Sequence, residues 1–181
     1  MPNDDLPTYT EMNSLQHHES DYMGEDTIFL DSSEDETRGD KEGGVRKSAI
    51  PKGATVLVVE DNVANFVLIA RMLGYMGIHC EWKTSGYEVV EYADTLPRLD
   101  LILMDIRLPY EDGYGALKKI RTSGNLKSTL VVAVTAEAGP EQLKKAREAS
   151  FDGFIGKPLD PDRFPEQIRR ILTGEPVWEL S

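Results

Sequence analysis

The sequence predicts an α/β protein: a doubly wound parallel sheet of five strands alternating with five helices. Three observations carry this. Apolar runs rich in Val, Ile and Leu recur from Gly53 onward, they lack the polar alternation of a half-exposed strand, and patterns of helical period separate them. At 181 residues the chain is long enough for one such domain and an appendage.

The elements follow in order. "TVLVVE", from Thr55, has the β-branched, unbroken apolar character of a central strand buried on both faces. Val63, Phe66, Val67, Ala70 and Leu73 recur at helical spacing as the expected inner face of the first helix, and Gly74 and Gly77 close that unit. "IHCEWK" reads as the second strand and "GYEVVEYAD" as a short helix. "LDLILMD", Leu99 to Asp105, is the third strand, followed by a loop and a helix with Ala116, Leu117 and Ile120 inward. "TLVVAVTA", Thr129 to Ala136, is the fourth, and Pro140 suits the first turn of the next helix. "DGFIGK" is the fifth, and the last helix presents Phe164, Ile168, Ile171 and Leu172.

The texture before residue 50 is different. Residues 1–49 hold 13 acidic and 4 basic side chains, so −9 of the formal charge of −12 sits there. With so little apolar surface, residues 1–52 are expected to be disordered. "TIFL", Thr27 to Leu30, is a docking segment or a chance cluster. Neither part has the basic charge of a phosphate-gripping nucleic-acid binder. The single cysteine, Cys80, forms no internal disulfide, the opening lacks the pattern of a secretory signal, and no apolar run nears the roughly 18 residues of a membrane span. A soluble cytoplasmic protein is expected.

In a doubly wound sheet, ligands bind beyond the carboxyl ends of the strands. The first strand delivers Glu60 and Asp61 there, the third Asp105, the fourth Thr135 and the fifth Lys157. Three carboxylates together repel one another. A hard divalent cation such as Mg²⁺, which takes oxygen ligands, removes the conflict. A carboxylate beside Mg²⁺ is in turn suited to attack a phosphoryl group, with Lys157 and Thr135 placed to meet its oxygens.

"VVEDN", "LILMDIRLPYEDG", "AVTAEAG" and "GFIGKPLD" together resemble the receiver domain of two-component response regulators, from about Ala54 to Leu172. The resemblance implies a flavodoxin-like strand order 2-1-3-4-5. It further implies that Asp105 is phosphorylated by a sensor histidine kinase or histidine phosphotransfer protein. By the same resemblance Glu60, Asp61 and Asp105 hold Mg²⁺ with the backbone carbonyl of Arg107, Thr135 is the switch hydroxyl, Lys157 precedes a proline often found cis, and Phe154 is an aromatic that turns inward on activation. The expected domains are an acidic tail, 1–52, a receiver, 53–173, and a short segment, 174–181, too brief to be an output domain. A stand-alone switch follows, monomeric or weakly dimeric, that catalyses only its own phosphorylation and dephosphorylation. It would dock a downstream protein through the face around the fourth helix and fifth strand, or pass the phosphoryl group on in a phosphorelay, with no nucleic acid or membrane partner. The alternative is a receiver-fold interaction protein whose output ignores phosphate.

Departures from the pattern add expectations. Arg107 and Glu137 stand two residues beyond Asp105 and Thr135, and either meet over the site or are solvated separately. Glu111 replaces a commonly apolar loop residue, and Asp112 is expected to cap the third helix. His17 and His18 lack metal-ligand partners, while His79, Cys80, Trp82, Tyr87 and Tyr92 read as packing or surface residues. "PEQLKKAREA" offers only Leu143 and alanines to the sheet, which makes the fourth helix the expected moving part. Trp178 and Leu180 give the last residues apolar character, for folding back or for docking.

Overall fold

The computed structural model describes residues 49–181. The reading of the acidic tail as far as residue 48, and those of Thr27–Leu30 and of the His17–His18 pair, lie outside the described residues. Among the described residues five helices and six strands alternate: β1 (Thr55–Val59), α1 (Val63–Tyr75), β2 (His79–Lys83), α2 (Val89–Thr95), β3 (Leu101–Met104), α3 (Gly113–Thr122), β4 (Leu130–Thr135), α4 (Pro140–Glu148), β5 (Gly153–Gly156), α5 (Phe164–Leu172) and β6 (Trp178–Glu179). They form one sheet of order β2-β1-β3-β4-β5-β6, every pairing parallel.

β1 and β3 are buried along their whole length, as their unbroken apolar runs require. On one face, Leu57, Val59, Ile102, Met104, Val131 and Ala133 join a core with Val89 and Ala93 of α2, Ala116, Leu117 and Ile120 of α3, and Ala146 of α4. α1 and α5 touch each other and bury Phe66, Ile69, Leu73, Phe164, Ile168 and Ile171. Among the described residues no helix is long and apolar enough to cross a membrane.

Three expectations need correction. Val63 and Val67 face outward, and Ile69 and Met72 are buried in their place. Apolar residues run nearly around α1, so periodicity allowed two overlapping stripes, and packing selected one. Leu172 is only half-buried. The sheet also has a sixth strand, because Trp178–Glu179 fold back beside β5 and Phe154 N–H donates to the Val177 carbonyl at 2.7 Å.

The amino end of β1 is pinned by Asp100, whose carboxylate accepts Thr55 N–H at 2.8 Å and Arg98 Nε at 2.7 Å. The Arg98 hydrogen bond, opposed by burial and helped by Thr55 N–H, holds the Asp100 carboxyl below its ordinary value. A depressed folded value means that this stabilisation is present above the unfolded value and lost as pH falls through the folded one. Thermal unfolding of Asp100→Asn is therefore expected to show a shallower loss of stability than the native chain below about pH 4. Equal slopes would contradict this role.

Candidate functional site

The site begins with backbone register. Asp105 N–H donates to the Val59 carbonyl at 2.9 Å and Lys157 N–H to the Thr135 carbonyl at 2.8 Å, so the residues ending β1, β3, β4 and β5 lie along one edge. Glu60, Asp105 and Thr135 are buried there, whereas Asp61 is exposed.

Lys157 joins two strand ends. Its Nζ donates to Glu60 Oε2 and to Asp105 Oδ2, both at 2.5 Å. Burial alone would lower the Lys157 ammonium, but the hydrogen bonds to Asp105 and Glu60 outweigh it and hold the group above its usual value. Asp105 Oδ1 accepts the Arg107 backbone N–H at 2.9 Å. Thr135 Oγ1 accepts Glu137 N–H at 3.3 Å. The peptide bond joining Lys157 to Pro158 is cis.

Glu60, Asp61 and Asp105 each place a carboxylate oxygen within 4.8 Å of the others. One ammonium faces three carboxylates, which leaves two formal negative charges, and the Asp61 side chain makes no hydrogen bond or ion pair with any described residue. An all-oxygen donor set with that residual charge fits a hard divalent cation.

Other residues hold this arrangement and were not singled out for it from sequence. Glu60 Oε1 accepts Asn65 Nδ2 at 3.0 Å and Asn62 N–H at 3.2 Å, while Asn62 also caps α1 by accepting Asn65 N–H at 3.1 Å. An Asn directly before an apolar helical run is a legible cap signal. Trp82, expected as a packing or surface residue, donates Nε1–H to the Glu60 carbonyl at 2.9 Å and stacks on Phe66 with centroids 4.2 Å apart. Asp112 caps α3 as expected, accepting Gly115 N–H at 2.8 Å.

Arg107 and Glu137 do meet, Nη1 to Oε1 at 2.5 Å, joining the loops after β3 and β4. The Phe154 side chain is wholly buried among core residues, with Trp178 packed against them. α4 is as weakly anchored as expected, with Ala146 its one fully buried residue and Leu143 half-buried.

Residues 56–169 match the response regulator receiver domain family. The chain belongs to that family. Receivers are signalling switches of two-component systems rather than conventional enzymes. This receiver is 37% identical over 123 residues to the signal transduction histidine-protein kinase BarA of Escherichia coli, covering 68% of this chain but only 13% of BarA. It is 33% identical over 118 residues to the polar-differentiation response regulator DivK of Brucella anthropi, covering 65% of this chain and 95% of DivK. Among solved structures, it is similar to the receiver domain of the sensor histidine kinase PA1611 from Pseudomonas aeruginosa. That likeness has a TM-score of 0.61 and 32% identity, spanning 68% of this chain and 99% of the other. The PA1611 receiver carries a magnesium ion coordinated in its active site cleft.

Proposed function

We propose that this receiver accepts a phosphoryl group onto Asp105 from a sensor histidine kinase or a histidine phosphotransfer protein and signals by docking to a downstream protein. The observation that carries the reading is the double contact of Lys157 with Glu60 and Asp105 beside the uncommitted carboxylate of Asp61. Glu60, Asp61, Asp105 and the Arg107 carbonyl would hold Mg²⁺, which supplies charge neutralisation for phosphoryl oxygens.

The chain's own residues divide the remaining work. Glu60 is held by Asn62, Asn65 and Lys157, so it orients rather than attacks. Asp105 supplies the oxygen that forms the new O–P bond as the donor's N–P bond breaks, and the leaving imidazole takes a proton from solvent. Lys157 already touches Asp105 and is placed to pair with the incoming phosphoryl oxygens, with the Thr135 hydroxyl as a further donor. The change is carried by the β4–α4 segment, where little apolar surface resists movement. Borohydride reduction of the phosphorylated chain followed by peptide mass mapping tests the assignment. Reduction at residue 105 is expected, and a modification mapped to Glu60 or Asp61 would overturn it.

The Arg107–Glu137 pair is mostly solvent-exposed, and such pairs contribute little to stability. Its proposed role is to cover the acyl phosphate against water. Arg107→Ala is expected to shorten the phosphoryl lifetime by roughly fivefold, the effect of about 1 kcal/mol on the hydrolysis barrier. An unchanged decay of the phosphorylated species would remove that role.

A further inference from the structure

β5 would be an edge strand without the segment Glu175–Ser181 that lies along it. The family resemblance already implies docking around α4 and β5; beyond that reading, we propose that Val177, Trp178 and Glu179 are a resident, displaceable occupant of the groove along the β5 edge, and that the partner enters by strand exchange with an extended segment reading apolar, aromatic, carboxylate. The groove is shaped for a backbone. A Cβ added at Gly153 would lie 2.7 Å from the Val177 carbonyl oxygen, and one at Gly156 would lie 2.6 Å from Ser181 N, so glycine at both positions leaves the room that the segment uses. Its side-chain demands are equally specific. Val177 is completely buried, Trp178 lies under the Arg147 guanidinium of α4 at 4.4 Å, and the Glu179 carboxylate accepts from Arg163 at 2.8 Å, Gln167 at 2.7 Å and Arg170 at 2.8 Å, all around α5. Three arginines beside a two-residue strand make a cationic rim that selects a carboxylate. Main-chain pairing supplies affinity, as in other strand-addition modes.

The same geometry makes the occupant replaceable. β6 pairs through two residues only, and its ion pairs are partly solvated, each worth little. An incoming strand of like chemistry exchanges those contacts one for one, and this docking stands whether or not Asp105 is phosphorylated.

A fluorescein-labelled peptide of residues 174–181 tests this against the full chain, native and carrying Trp178→Ala with Glu179→Ala. The peptide is expected to bind the double variant at least about tenfold more tightly than the native chain. Adding Arg170→Glu to that variant is expected to reverse the gain. Binding no tighter to a double variant with native circular dichroism, or binding indifferent to Arg170→Glu, would overturn the proposal. Should the double variant fail to fold, amide hydrogen exchange in the native chain decides. Amides 154 and 177–180, which depend on the β5–β6 pairing, exchanging at least about a hundredfold faster than 131–134 of β4 would support a displaceable strand, and rates as slow as those of β4 would overturn it.

Discussion

Replacing Lys157 with methionine is expected to destabilise the metal-free receiver by about 3 kcal/mol, the low end of the cost of removing one partner from a buried ion pair. Methionine keeps most of the stem's volume, so the loss is electrostatic. Glu60 and Asp105 are almost entirely buried and would face each other without the ammonium that contacts both at 2.5 Å. Asn62 and Asn65 still serve one Glu60 oxygen, which keeps the cost from rising further. Because the folded Lys157 value is raised above the ordinary 10.5, the contribution is whole below the unfolded value and lost only as pH rises through the folded one. A divalent cation supplies the missing charge, so urea unfolding should show Mg²⁺ restoring more stability to Lys157→Met than to the native chain. A loss equal with and without Mg²⁺ would mean that the lysine and the metal do not share these carboxylates.

Gly113→Ala should be nearly as costly, for a steric reason. An added Cβ would lie 2.5 Å from the Asp105 carbonyl oxygen and 2.9 Å from Ile106 Cα, both backbone atoms that have no rotamer to change. Gly113 N–H also donates to the Ile106 carbonyl at 2.9 Å, tying the start of α3 to the loop that bears Asp105. The substitution is expected to cost about 3 kcal/mol, the upper range for overpacking, and to slow phosphorylation by displacing Asp105. Gly124→Ala is the control, since nothing lies within 4 Å of its added Cβ, and it should stay within about 0.5 kcal/mol of native. Similar losses for the two variants would show that the tight approach at Gly113 relaxes without cost.

Those two sites also show what the sequence conveys. The strand ends were legible because a buried apolar run that stops on Glu60, Asp105 or Lys157 has few explanations in a parallel sheet. The convergence of these residues followed from topology alone. Asn65 was not legible as a ligand of Glu60, because one polar residue on the first turn of a helix resembles ordinary solvated surface. Trp82 hid its hydrogen bond to Glu60 inside an apolar side chain. The inner face of α1 was ambiguous because Val63, Val67 and Leu68 extend its apolar stripe past what the sheet can cover. The sixth strand escaped because two residues carry no periodicity. Its signal lay in the partner strand, where Gly153 and Gly156 bracket Phe154 and Ile155 and leave a backbone-sized space.

The central claim is that Asp105 accepts a phosphoryl group with the help of a divalent cation. Intact mass after incubation with acetyl phosphate, with and without Mg²⁺, for the native chain and for Asp105→Asn, tests it most directly. The account predicts a gain of one phosphoryl group in the native chain only when Mg²⁺ is present, and none in Asp105→Asn. A gain that persists in folded Asp105→Asn, or that does not need the metal, would contradict it.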